Sequence, residues 1–408
     1  MRFDLRSQPS RFATVVAAVV LGFTAVPAAT AATAATATPA QSRPTSGTAL
    51  EWELEGISCT ASSACTAAGD EENSAGEAVP LAERWNGSSW SVQSTPTPAG
   101  SQASYFNGVS CASASACTAV GQFVTGTEGS AMLAEHWNGS TWSVQSTPAP
   151  TGAEDTYLYA VSCASATACM AVGNYITSTG AYAMLAESWN GTSWTLQSAP
   201  APAGEVELYV SGVSCPSTTA CTATGYYETS TGDFLSMAES WNGTSWSLKT
   251  TVNPTGAAQA FLSGISCTSA TACIAAGYQE TSTGTTSTLA EVWNGTTWAI
   301  QTTPNPSGTT IAGLIGISCT TASACTAVGW YETSPEQYDT LAERWNGTTW
   351  TIQTTPNPTG ATDNYLNGVS CTSATACSAA GYDITTTYES LAEGWNGTSW
   401  ALQSTAHP

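Results

Sequence analysis

Past residue 49 the chain alternates short apolar runs with clusters of Gly, Pro, Asn and Ser, and nothing in it has helical periodicity. The last stretch shows the pattern. Tyr365-Leu366-Asn367-Gly368-Val369-Ser370-Cys371 predicts a strand A, Cys377–Tyr382 a strand B, Leu391–Trp395 a strand C and Trp400–Gln403 a strand D. Asn396-Gly397 between C and D predicts a two-residue type I′ hairpin, a turn that needs positive φ at both central residues. Two cysteines, Cys371 and Cys377, bracket the A–B turn. The connection from each D to the next A carries Thr-Pro-x-Pro-x-Gly, as in Thr355–Gly360; proline cannot donate to a ladder, so it marks the end of a strand.

This unit recurs seven times. Cys59, Cys111, Cys163, Cys215, Cys267, Cys319 and Cys371 are each 52 residues apart. Each is followed six residues later by a second cysteine: Cys65, Cys117, Cys169, Cys221, Cys273, Cys325 and Cys377. Trp-Asn-Gly-x-x-Trp recurs from Trp85, Trp137, Trp189, Trp241, Trp293, Trp345 and Trp395, with only the last spacing shortened, to 50. Four-stranded units of this length point to a β-propeller. A straight solenoid wants atypical capping repeats, and here the first and last repeats look like the middle ones. The expectation is an all-β, seven-bladed propeller of 28 antiparallel strands over residues 49–408. Its repeats run at about 49–98, 99–150, 151–202, 203–254, 255–306, 307–358 and 359–408. Strand A, rich in Gly-Val-Ser-Cys, is small enough to line the crowded channel. The phase of the repeats predicts closure without strand exchange.

The unit L-x-G-[VI]-S-C…A-V-G…L-A-E-x-W-N-G-x-x-W resembles the blades of seven-bladed Asp-box (BNR-type) propellers, the group of photosystem II assembly factors and sialidases. Gly347 and Trp350 match the end of the box S-x-D-x-G-x-T-W. Where the box has its Asp, this chain has Trp345 and its equivalents. A kelch-type propeller is similar too, in its Gly-then-Trp order. The resemblance covers about residues 49–408 and implies the fold; a sialidase activity would need three arginines gripping a carboxylate.

The fourteen cysteines are even in number and locally paired, which predicts seven disulfides within the repeats, Cys59–Cys65 through Cys371–Cys377. Zinc would want closer pairs and more ligands. Strand parity, with Trp85 opposite Ser88 and Glu83 opposite Trp90, puts Leu81, Glu83, Trp85, Trp90 and Val92 on one face, against the next blade. Glu83, Glu135, Glu187, Glu239, Glu291, Glu343 and Glu393 fill one slot in every repeat; a general acid repeated seven times is implausible, and a carboxylate accepting a Trp or backbone N–H fits better. Each Asn-Gly-Ser/Thr is formally a glycosylation sequon, but the hairpin already explains it.

The N-terminus reads as an address. Arg2, Arg6 and Arg11 precede an apolar stretch, Phe12–Val26, and an Ala29-Thr30-Ala31 cleavage signal. At about 15 residues that stretch falls short of the ~20 that a spanning helix needs. Residues 1–31 are therefore expected to be a signal peptide and 32–48 a flexible Ala/Thr/Pro-rich tether, giving a secreted, extracellular bacterial protein.

Charge then narrows function. Seven Lys+Arg against 29 Asp+Glu give a formal charge of -22, which excludes a reader of nucleic-acid phosphates. Beyond the signal only Arg43, Arg84, Arg344 and Lys249 remain, and Arg43 lies in the tether, so a three-arginine site fails on counting. Two histidines, His136 and His407, leave little for His-based catalysis or for copper and haem ligation. No cofactor is implied.

Function is expected where the blades differ. By strand parity the A–B and C–D turns share one face of the ring, and both are near-identical in all repeats. The B–C and D–A connections share the other, and the B–C segments vary most. Near them lie Tyr175, Tyr227, Tyr278, Trp330, Tyr331 and Tyr382, with Glu228, Glu280, Glu332 and Asp383, read as an exposed ligand face of aromatic planes beside carboxylates. The expected function is a non-enzymatic binding module for an unidentified protein or glycan, monomeric and without a membrane span after cleavage. A multivalent lectin is one alternative; a glycan-cleaving hydrolase using a carboxylate pair is the other. Glu51, Glu53, Glu55, Asp70, Glu71, Glu72 and Glu77 make repeat 1 unlike the rest, read as a solvated acidic loop in preference to a Ca²⁺ site.

Overall fold

The computed structural model describes residues 51–126 and 129–406. The expected signal and tether, with Arg43, lie outside them, as does His407. Every repeat folds into four antiparallel strands in the order A-B-C-D. In blade 1 these are Trp52–Ala61, Ala64–Glu72, Ala78–Trp85 and Trp90–Gln93; in blade 7 they are Asp363–Ser373, Ala376–Ile384, Tyr388–Trp395 and Trp400–Gln403. The chain is a β-propeller. Strand A of each blade packs on strand A of the next, and strand A of blade 1 closes on that of blade 7. Blades 1 and 7 each keep their own four strands, so the ring closes without exchange.

Closure therefore rests on contacts that recur around the ring. Cys111 N donates to Ser58 Oγ at 2.9 Å, and at the seam Cys59 N donates to Ser370 Oγ at the same distance. The glycines in this layer are forced by proximity: a Cβ on Gly56 would lie 3.1 Å from Gly108 Cα of the next blade. Trp142 Nε1 donates to Gln93 Oε1 of the blade before at 3.0 Å, and Trp90 meets Gln403 in the same way across the seam. All seven disulfides form within their repeats.

Strand C is buried on both faces, as Leu81, Ala82 and Glu83 show. Leu54, Leu81 and Trp90 pack with Ala380 and Ala392 of blade 7, so the tryptophans build the inter-blade core. The expected hairpin register needs correction. Trp85 lies opposite Trp90 and Glu83 opposite Val92, which makes a four-residue loop. Gly87 has φ +97, but Asn86 is not in the left-handed region, so the turn is not type I′. The asparagine side chain is the cause: Asn86 Oδ1 accepts from Ser88 N at 2.9 Å and from Ser89 N at 3.0 Å, holding a wider loop. The shared face survives because a slip of two residues keeps parity. Trp85 and Trp90 meet on it at 5.6 Å between centroids, although Val92 is exposed.

Candidate functional site

The two faces of the ring differ in how far they repeat. On the turn face every Asn of Asn-Gly accepts from the two backbone amides beyond its glycine, seven times over. On the other side the repetition fails at two positions of the strand A–B pair.

The first is a β-bulge in strand A. The register skips one residue in each blade: Glu55, Asn107, Tyr159, Ser211, Ser263, Ile315 and Asn367. A bulge re-aims its extra side chain, and here that position carries a carboxylate, amides, hydroxyls, a phenol and one aliphatic. The second is the cross-strand pair just beyond it. The pair is Glu53–Asp70 in blade 1, Tyr105–Gln122 in blade 2 and Tyr157–Asn174 in blade 3. It is Tyr209–Tyr226, Phe261–Tyr278, Gly313–Trp330 and Tyr365–Tyr382 in blades 4 to 7.

Blades 4 to 7 thus form an aromatic arc. Tyr226 meets Phe261 edge-on at 4.8 Å, Phe261 stacks on Tyr278 at 4.7 Å, and Tyr365 lies 5.0 Å from Tyr382. Gly313 leaves the room that Trp330 fills: a Cβ there would be 3.2 Å from the indole. Blades 1 to 3 form a polar arc. Asn107 Nδ2 donates to Gln122 Oε1 at 3.1 Å, and Asn174 Oδ1 accepts from Val210 N of the next blade.

The arcs meet between blades 3 and 4 and again at the seam, where a carboxyl lies among them. Asn367 Nδ2 donates to Glu55 Oε2 at 3.1 Å and to Leu54 O at 3.2 Å. The Glu55 side chain is partly reachable from the channel but hemmed in by protein; that desolvation first, and the charge of Asp70 second, push its carboxyl up to about 8. Burial, with Glu53, Tyr365 and Glu55 nearby, raises the Tyr382 phenol well above its ordinary range.

The expected exposed ligand face is corrected in part. Trp330 and Tyr382 are each 2% exposed, and Asp383 is 4% exposed with its carboxyl raised to about 6 by burial and then by Glu389. A propeller strand is covered on both faces by neighbouring blades, so an apolar position beyond the hairpin is core. Tyr278 is half-buried between Phe261 and Trp330. Tyr175, Tyr227 and Tyr331 are half-buried and rest against the core. Tyr331 also bonds Asp339. Glu228, Glu280 and Glu332 are half-buried, Glu280 with its carboxyl raised by desolvation. Glu332 Oε1 accepts from Glu336 N at 3.3 Å.

The acidic set of repeat 1 divides. Glu77 sits at the B–C tip, where Asn73 Nδ2 donates to it, but Glu53 and Glu55 belong to the innermost strand and are no solvated loop. Among the described residues no group of three or more His, Cys, Asp or Glu is placed to hold a metal ion.

No family model matches the chain, and no curated protein does. Solved structures do. A polysaccharide lyase, the PL25 ulvan lyase, superposes with a TM-score of 0.58 at 9% identity over 85% of this chain and 92% of its own. YCF48 bound to D1 peptide gives 0.46 at 12% identity over 87% and 93%. The fucose-binding lectin of Aleuria aurantia gives 0.44 at 12% identity over 86% and 96%. At such identities the likeness is one of fold.

Proposed function

We propose that this chain is an exported, non-enzymatic β-propeller that binds an uncharged or amine-bearing glycan at the channel mouth on its variable face. One observation carries the reading: the repeat is kept in scaffold and turn face, and is abandoned at the bulge and cross-strand positions around that mouth. Seven equal positions that only build a ring have no reason to diverge, whereas one asymmetric ligand needs divergent contacts. Partly accessible rings, Tyr105, Phe261 and Tyr278, offer their exposed parts to pyranose C–H groups. Glu55 offers its carboxyl and Asn107 its Oδ1 to hydroxyls, the Asn107 amide hydrogens being taken by Gln122 and Leu158. Anionic glycans fit poorly: Arg84 and Arg344 lie over Trp137 and Trp395 of neighbouring blades, and carboxyls cluster at the seam. Glycan-array binding by the wild type and by E55Q tests this. Loss of a neutral or amino-sugar signal in E55Q, with the fold kept, supports the reading; an array with no signal, or one of anionic glycans only, sinks it.

A second reading is favoured by one specific pair. Glu55 is pushed to about 8, by desolvation first and then by the charge of Asp70 beside it, and a protonated carboxyl next to a second carboxyl is the pairing from which glycoside hydrolysis is built. On that reading the mouth hydrolyses the glycan it holds. Reducing-sugar release abolished by both E55Q and D70N would establish hydrolysis in place of binding.

A further inference from the structure

The glutamate repeated in strand C of every blade sits at each blade junction, and all seven are 0% exposed. Within its own sheet each is flanked by alanine on strand B and an aliphatic on strand D: Glu135 by Ala119 and Val144, Glu187 by Ala171 and Leu196, Glu239 by Ala223 and Leu248.

What reaches them from the preceding blade depends on one residue of the D–A connection. Val252 N donates to Glu291 Oε2, and Ala406 N to Glu83 Oε2, both at 3.1 Å. At the other five junctions that position is Pro96, Pro148, Pro200, Pro304 or Pro356, which has no N–H. The matching glutamates are Glu135, Glu187, Glu239, Glu343 and Glu393. In each of these five, and in neither of the other two, both carboxyl oxygens lack a hydrogen-bond partner among the described residues. Thr288 and Thr340 approach Glu343 and Glu393 closely enough to lower their pKa somewhat against desolvation, but each hydroxyl hydrogen is directed to Thr303 or Thr355 of its own blade. At the position of Ser236, which donates to Glu291, the blades before Glu135, Glu187 and Glu239 carry Pro80, Met132 and Met184. The one charged side chain facing any of the seven is Glu71, towards Glu83; no basic group faces any of them among the described residues.

We propose that the ring closes around neutral, protonated glutamic acids at the five proline junctions, and that losing those protons loosens the propeller. A buried ionised carboxylate without donors is far costlier than a buried neutral acid. Desolvation accordingly pushes these five up to about 8, and the two with amide donors to about 7. The sign follows. Unfolded glutamates titrate near 4.5, so between that pH and about 8 the folded chain holds more protons than the unfolded one. The stabilisation is full below the unfolded value and is lost as pH rises through the folded one.

The test is thermal unfolding of the full chain from pH 5 to 9, with potentiometric counting of protons at pH 7. We expect the melting temperature to fall as pH rises, up to a tenfold loss of the folding constant per pH unit for each titrating glutamate. We expect net proton release on unfolding at pH 7. The triple variant E135Q/E187Q/E239Q, which keeps the shape of the neutral acid, should flatten the profile and melt higher than wild type at pH 9. A melting temperature that is constant or rises over this range, or proton uptake on unfolding, overturns the proposal. If the triple variant does not fold, the wild-type proton count alone decides it.

Discussion

Lys249 marks a junction where a repeated contact has been lost, and restoring the contact should stabilise the ring. The outer-strand tryptophan donates to a glutamine of the preceding blade at five junctions, at 2.8 to 3.0 Å. The position that would carry the glutamine facing Trp298 is 249, which is lysine. An ammonium has only donors. Trp298 Nε1, on a side chain 3% exposed, consequently has no partner among the described residues. Lys249→Gln supplies an acceptor to a buried N–H, and a net gain of about 1 kcal/mol is expected for one such bond. For a propeller of roughly 360 residues the unfolding entropy is about 0.75 kcal/mol/K, so the melting temperature should rise by about 1–2 °C. Scanning calorimetry resolves that shift. Trp298→Phe removes buried volume and should lower the melting temperature by itself, but on that background Lys249→Gln should give no gain. An unchanged or lowered melting temperature in Lys249→Gln, or a gain that survives Trp298→Phe, would refute the argument that this bond ties neighbouring blades.

Gly121→Ala should destabilise by about 3 kcal/mol or more, because its Cβ would lie 1.9 Å from the Tyr105 carbonyl oxygen; chemical denaturation measures it, and a loss below 1 kcal/mol contradicts so close an approach. Replacing Cys59 and Cys65 together by serine should cost about 2 kcal/mol through the small loop they close. Native protein should then show no free thiol in a thiol assay. Tyr331→Ala, at a half-buried ring of the variable face, should leave the fold intact. Trp330→Ala should cost about 3–5 kcal/mol by hollowing the core; the melting temperatures separate the two.

Much of the fold is legible because local and global signals agree. Trp400–Gln403 is a strand on the page and in the structure, since its landmarks bound it on both sides. The C–D turn departs from expectation for a local reason: Asn-Gly favours type I′, but the Asn carboxamide competes for the backbone and widens the loop. The face of Trp330 departs from it for a global one. Alternation along a strand tells the two faces apart only when one of them meets solvent, and between blades neither does. The glycine that makes room for Trp330 lies 17 residues away at Gly313, a link visible only once register is known. The glutamate slot reads as an acceptor in the sequence, and two of its seven members accept a backbone N–H. The prolines that disarm the other five are in view as strand ends, but their missing N–H matters only when the next blade is in place. The seam carboxyls Glu53, Glu55 and Asp70 are visible as a departure from the repeat; their place on strands A and B, at the channel mouth, needs the ring.

The central claim is that ligand binds at the mouth on the variable face. It is tested most directly by titrating one glycan, identified on an array, into three proteins with matched melting temperatures. These are the wild type, Glu55→Gln at the mouth, and Ser88→Lys with Thr348→Lys on the exposed turns of the opposite face. Calorimetric titration should show affinity weakened at least tenfold by Glu55→Gln and unchanged by the lysine pair. Full affinity in Glu55→Gln, with binding lost in the lysine pair, would place the site on the uniform turn face and contradict the account.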